Sequence, residues 1–222
     1  SAITNIDFAE KNKKITNDIN YKLVKNILVF NKNKKYFFIN ISTDQVYNSK
    51  NIKRNKEDNV SFKDNYYTQT KIKADKLIYK FNFLSLRVNF FGKSFRGKGT
   101  FTDWLFLNSK TKESISLFED QFISGLTLSS LSKIISKVLN KKVFGIYNVG
   151  SNGYISKKKL AYEFYKNLNI KKNNFKIVKV NDFLNVKRSN FMFMNCQKFQ
   201  KMFQMKLPDI YKEIKKAANQ YK

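Results

Sequence analysis

Tyr67 and Lys71 stand four residues apart in a stretch, Asn65 to Phe83, whose apolar residues Ile72, Leu77, Ile78 and Phe81 recur among lysines at helical spacing. On a helix that separation puts a phenol and an ammonium on one face. The chemistry such a pair serves is proton transfer. A tyrosine with its ordinary pKa of about 10 becomes an acid or base near neutrality only when something favours the phenolate, and a nearby ammonium does so. Lowering that pKa by roughly three units takes about 4 kcal/mol of differential stabilisation. The same spacing recurs at Tyr21/Lys25, Tyr154/Lys158 and Tyr211/Lys215, so on spacing alone a coincidence of a Tyr- and Lys-rich chain stands beside the catalytic reading.

Context separates Tyr67/Lys71 from the others. Upstream, Phe37-Phe38-Ile39-Asn40-Ile41 is short, aromatic and β-branched and reads as a buried parallel strand; it runs directly into Ser42, Thr43 and Asp44. Downstream, Phe83 to Val88 reads as a second strand. In open α/β sheets ligands bind beyond the carboxyl ends of the strands, so the two hydroxyls and the carboxylate are expected to face a crevice.

The bulk properties narrow the alternatives. A chain of 222 residues supports one well-buried core, or a core with a smaller lobe. The absence of histidine removes Ser-His-Asp and Cys-His nucleophilic machinery and His-based metal sites, and no metal site is expected. The single cysteine, Cys196, excludes an internal disulfide and points to a reducing cytoplasm. No run approaches the length of a membrane span, and residues 1–20 lack the apolar core of a signal peptide. A formal charge of +28 raises a nucleic-acid partner, but the lysines are spread along the whole chain, with abundant Asn, Ile and Phe, as an AT-rich coding sequence would give. Nucleic acid is therefore not the expected partner, while a phosphate-bearing substrate would be drawn to such a surface.

The supporting elements follow in order. Ile15 to Phe30 reads as a helix covering one sheet face through Ile15, Ile19, Leu23, Val24, Ile27 and Leu28. Residues 48–63 read as a surface loop, Phe101 to Leu107 as a helix with Trp104 in the core, and residues 114–118 as a strand leading into Asp120 and Gln121. Leu126 to Leu139 is expected to be helical, Val143 to Val149 a strand, Lys157 to Leu168 a helix capped by Ser156, residues 175–180 a short strand, and Asp209 the start of a final helix. Gly92 to Gly99 nearly matches a phosphate-binding P-loop but has Gly99 where a Ser or Thr hydroxyl is needed.

The segments Ile41-Ser42-Thr43-Asp44-Gln45-Val46-Tyr47, Asn65-Tyr66-Tyr67-Thr68-Gln69-Thr70-Lys71, Leu86-Arg87-Val88, Asp120-Gln121-Phe122-Ile123-Ser124, Gly145-Ile146-Tyr147-Asn148-Val149-Gly150 and Leu207-Pro208-Asp209 occur in one order and spacing. Together they resemble the extended short-chain dehydrogenase/reductases, most closely the dTDP-4-dehydrorhamnose reductase branch. The resemblance implies an α/β fold: a partial Rossmann-like parallel sheet with a small C-terminal substrate-binding lobe. Residues 1–92 would be the remainder of the dinucleotide-binding domain. Residues 93–222 would contribute the closing strand and helices (about 126–150) and the substrate lobe (about 93–125 and 151–222). Because the first glycine is Gly92, no Gly-rich phosphate turn is found, and the chain reads as a fragment lacking that amino-terminal unit.

The activity implied by this resemblance is reduction by NADPH or NADH of the 4-keto group of a nucleotide-linked 4-keto-6-deoxysugar, in a cytoplasmic protein that could form a homodimer. Tyr67 would give the proton, Lys71 would hold the nicotinamide ribose and depress the phenol, and Thr43 would bond the carbonyl oxygen. Ser42, Asn89 and Phe90 would join Tyr67 and Lys71 at the cofactor. Asp44, Arg96, Asp120, Gln121 and Arg188 would contact substrate, and Asn20 would support the lysine. Gln45 speaks against a dehydratase, which has a second carboxylate there. Gly125, Leu126 and Ser189 depart from the family's usual Pro, Thr and Pro. Another nucleotide-sugar epimerase or reductase of the superfamily, and a non-catalytic nucleotide-sugar binder, remain as alternatives.

Overall fold

The computed structural model describes residues 2–33, 36–95, 99–171 and 174–222. The first half of the chain runs α1 (Ile6–Lys11), α2 (Lys13–Asn17), a π-helical turn (Asp18–Lys22), α3 (Leu23–Phe30), β1 (Ile39–Thr43), α4 (Tyr66–Lys80), β2 (Leu84–Val88), β3 (Phe90–Phe91) and α5 (Phe101–Ser109). The second half runs β4 (Ile115–Phe118), β5 (Phe122–Ile123), β6 (Leu126–Thr127), α6 (Leu128–Leu139), β7 (Gly145–Val149), β8 (Ile155–Ser156), α7 (Lys157–Asn167), β9 (Phe175–Val178), α8 (Val180–Phe183), α9 (Gln197–Phe203) and α10 (Ile210–Asn219).

Burial at all five positions places β2 in the middle of a sheet, since only a strand covered on both faces can carry Leu, Ser, Leu, Arg and Val in succession. It pairs in parallel with β1 on one side and β7 on the other, in the order β1-β2-β7. Leu84, Leu86, Val88, Tyr147 and Val149 form the main core with Ile72 of α4, Leu131 and Val138 of α6 and Phe199 of α9. A second core gathers Leu117, Leu160, Phe164, Ile214 and Ala217 around α7 and α10. The parallel pair β4–β9 and the antiparallel pair β5–β8 belong to the same carboxyl-terminal half.

Local signals fix most element ends. Asn65 caps α4 by accepting from the Thr68 amide at 2.9 Å, Ser156 caps α7, and Asp209 caps α10 through the Tyr211 and Lys212 amides. Glu213, buried on α10, accepts from the Thr127 amide, the Thr127 hydroxyl and the Ser130 hydroxyl, so one helix satisfies the amino terminus of another. Gly125 is required where it stands, because a Cβ there would lie 2.9 Å from the Phe91 ring.

Three expectations are corrected. The first strand begins two residues later than its apolar run, because register with β2 pairs Ile39 with Leu84 and Thr43 with Val88; Phe38 instead packs edge-on against Phe83. Ser42 and Thr43 are thus the last residues of the strand. The segment from Ile15 to Phe30 does not seal the sheet face: Ile15, Leu23, Val29 and Phe30 are exposed, and Leu23, Val24 and Ile27 line an open cavity with Ile39 and Ile41. In α5 it is Leu105 that is fully buried; Trp104, expected in the core, is 38% exposed and stacks on Phe101.

Candidate active site

The carboxyl end of β1 and the first turns of α4 meet at a cavity of about 570 Å³. Thr43, Tyr67 and Lys71 line it together, with Ser42, Asp44, Asn89 and Phe90. Tyr67 is held by its helix start. Glu10 of α1 accepts the Tyr66 amide at 2.8 Å, Asn65 caps the turn and donates to the Lys187 carbonyl, and the Tyr67 ring packs on Ile6 and Ala9. The Tyr66 amide is also what holds the Glu10 carboxyl below its usual range, ahead of Lys13 beside it.

The Tyr67 phenol and the Thr43 hydroxyl stand on the same cavity wall, where Thr43 favours the phenolate. Burial pushes that phenol up to about 12; Thr43 opposes the shift, and the carboxylates of Asp44 and Asp75 add to it. The Lys71 ammonium donates to the Ile41 carbonyl at 2.7 Å, with burial drawing its pKa down and Asp75, one turn along α4, holding it up. The thiol of Cys196 is buried away in the main core.

Asp44 is buried, and its carboxylate accepts from Asn89 Nδ2 at 2.7 Å. Desolvation lifts the carboxyl to about 7, against the opposing pull of Asn89 and then of Lys157. Lys157, half-buried on the cavity wall, is pushed down to about 8 by the same loss of water, with Asp44 working against the shift and Arg188 with it. Lys157 was not singled out from the sequence. A signal was present, since it opens a helix with three consecutive lysines at the end whose dipole disfavours cations.

Two buried acceptor or donor atoms at the cavity have no protein partner among the described residues: Ser42 Oγ and Gln45 Oε1. Unsatisfied polar atoms at a cavity wall fit a polar ligand carrying hydroxyl or amide groups. Asn20, in the π-helical turn, also lines the cavity; it clasps the Ile3 backbone through both side-chain atoms and donates to Thr70 Oγ1 at 3.3 Å.

The remaining expected substrate contacts are placed elsewhere. Asp120 accepts from the Val180 amide and Asn190 Nδ2, Gln121 donates to the Ser189 carbonyl, and Arg188 pairs with Asp7 at 2.7 Å. All three tether loops and are not among the described residues lining the cavity. Arg96 lies outside the described residues. Behind the site, Asp75 and Arg87 form a buried ion pair at 2.9 Å, and Arg87 also donates to the Tyr47 hydroxyl and the Glu57 carbonyl.

A dinucleotide-type parallel sheet with Ser, Thr, Tyr and Lys at its carboxyl edge is the architecture of the short-chain reductases, and the whole chain, residues 1–222, matches the family model described as the RmlD substrate binding domain. The chain belongs to that family. Among solved structures it is similar to dTDP-4-dehydrorhamnose reductase from Bacillus anthracis in complex with NADP, with TM-score 0.88 and 21% identity over 97% of this chain and 77% of that one. The reductase from Yersinia enterocolitica gives TM-score 0.88 and 19% identity over 100% and 79%. The UDP-N-acetylglucosamine 4-epimerase from Methanobrevibacter ruminantium in complex with UDP-N-acetylmuramic acid gives 0.82 and 13% over 100% and 74%. Among curated proteins, none matches. No helix among the described residues is long and apolar enough to cross a membrane.

Proposed function

We propose that the site serves an NAD(P)H-dependent reduction of the C4 carbonyl of a nucleotide-linked 4-keto-6-deoxyhexose. The observation that carries this reading is the convergence of the Tyr67 phenol, the Thr43 hydroxyl and the Lys71 side chain on the wall of one cavity. Two hydroxyls on one cavity wall can both donate to a carbonyl oxygen placed between them.

Ser42, Lys71, Asn89 and Phe90 would hold the nicotinamide end of the cofactor, and the unpartnered Ser42 hydroxyl fits a ribose or carboxamide group. When bound, that cofactor supplies a hydride to the carbonyl carbon. The rest of the work falls to the chain. Tyr67, kept protonated by its buried setting, gives its proton to the oxygen as negative charge develops there. Thr43 donates a hydrogen bond to the same oxygen, and Lys71 offers the ammonium that favours the phenolate left behind. The Ile41 carbonyl keeps that ammonium within the site until then. Family membership and the NADP and UDP-sugar complexes of similar folds support the cofactor and substrate class.

The test is consumption of NADPH by the protein with dTDP-4-dehydrorhamnose and with a panel of other nucleotide sugars. Oxidation that depends on a 4-keto sugar supports the reading. Binding of nucleotide sugars with no oxidation of either NADPH or NADH would contradict it, and interconversion of UDP-hexoses without net oxidation would assign an epimerase.

A further inference from the structure

Beside the catalytic cavity lies a second, more apolar one of about 390 Å³, walled by Phe101, Trp104, Phe118 and Phe183. The two meet, because Phe101 and Lys157 line both. We propose that Lys157 binds the diphosphate of the nucleotide-linked substrate at this junction, with the sugar on the Tyr67 side and the aromatic base on the Trp104 side. This inference rests on the nucleotide-sugar reading of the site and adds to it the group that recognises phosphate.

Among the described residues, the geometry favours Lys157 over the other cations. Its ammonium lies 5.4 Å from the centre of the Phe101 ring, the residue it shares with both cavities, and it makes no ion pair among the described residues. Lys71 lines only the first cavity and is engaged by the Ile41 carbonyl. Arg188 is held by Asp7. Lys158, the next residue along α7, pairs with Glu119 at 3.0 Å. The charged groups that act on Lys157 are the carboxylate of Asp44, which holds its proton on, and the guanidinium of Arg188, which works the other way. The amino-terminal end of α7 adds its own positive potential to the lysine, and the two together suit a dianionic group better than any single side-chain carboxylate. Stacked Phe101 and Trp104, with ring centres 5.7 Å apart, give the neighbouring cavity an aromatic wall on which a planar base can lie.

Trp104 is the only tryptophan, so its fluorescence reports occupancy of the apolar cavity directly. Affinities for dTDP and for thymidine should be measured on the wild type, Lys157→Met and Lys157→Arg. The expected result is at least about a tenfold loss of dTDP affinity in Lys157→Met, unchanged thymidine affinity, and recovery in Lys157→Arg. Unchanged thymidine binding also shows that the variant is folded. Wild-type affinity for dTDP in Lys157→Met would overturn the assignment of Lys157 while leaving the nucleotide-sugar reading intact. A wild type that binds neither dTDP nor thymidine would overturn that reading as well.

Discussion

The ammonium of Lys71 donates to the carbonyl of Ile41, a strand residue two positions before Thr43, at 2.7 Å. With the bond from Asn40 of β1 to Asp75 of α4, this contact ties the two elements together close to the residues that each brings to the cavity. Replacing Lys71 by Met removes both the tether and the charge that favours a phenolate. Turnover should fall by about a hundredfold or more, with Lys71→Arg failing to restore it, since a guanidinium fork does not reproduce a point donor. Steady-state kinetics of the two variants check this; a Met variant with near wild-type kcat would remove Lys71 from the mechanism.

Asp44 should make stability depend on pH in a defined direction. Its folded carboxyl, at about 7, lies above the ordinary 3.8. The folded protein therefore holds this proton more tightly than the unfolded chain, and the associated stability is complete below the ordinary value and lost as pH rises through about 7. Asp44→Asn lacks that loss. Its Tm relative to wild type should rise between about pH 5 and about pH 8. Thermal melts at the two values test it, and a constant difference would show that Asp44 ionises as freely in the fold as outside it.

The ion pair between Arg87 and Asp75 is predicted to be a structural requirement. Both side chains are about as buried as any in the protein, 2% and 1% exposed, and the carboxylate also accepts from Ser85 and Asn40. Arg87→Met leaves that carboxylate buried without its charge partner, which costs roughly 3 to 5 kcal/mol. Urea denaturation measures the loss. A change under about 1 kcal/mol would show that the pair is not a structural requirement.

What was legible in the sequence was local. Asn65, Ser156 and Asp209 announce helix starts because capping needs only a side-chain oxygen and the next turn, and the buried run ending at Val88 marks a central strand. Helix periodicity gave the shared face of Tyr67 and Lys71, while the meeting of Tyr67 with Thr43 was implied only by the family resemblance, and both residues line one cavity. What depended on distant partners was not legible. The start of β1 is set by register with β2, and the exposure of Leu23 and Trp104 is set by cavities that neighbouring elements leave open. Asp120, Gln121 and Arg188 find partners in Val180, Ser189 and Asp7, up to 181 residues away in the chain. The helix Gln197–Phe203 was not anticipated; it is short, and its cap residue Cys196 makes no capping bond.

The central claim is that Tyr67 supplies the proton. Turnover of NADPH with dTDP-4-dehydrorhamnose, compared between wild type and Tyr67→Phe, tests it most directly, because the substitution removes one hydroxyl and leaves the ring on Ile6 and Ala9. The account predicts a fall in kcat of about a hundred- to ten-thousandfold with KM little altered. A Tyr67→Phe protein that turns over at the wild-type rate would contradict it.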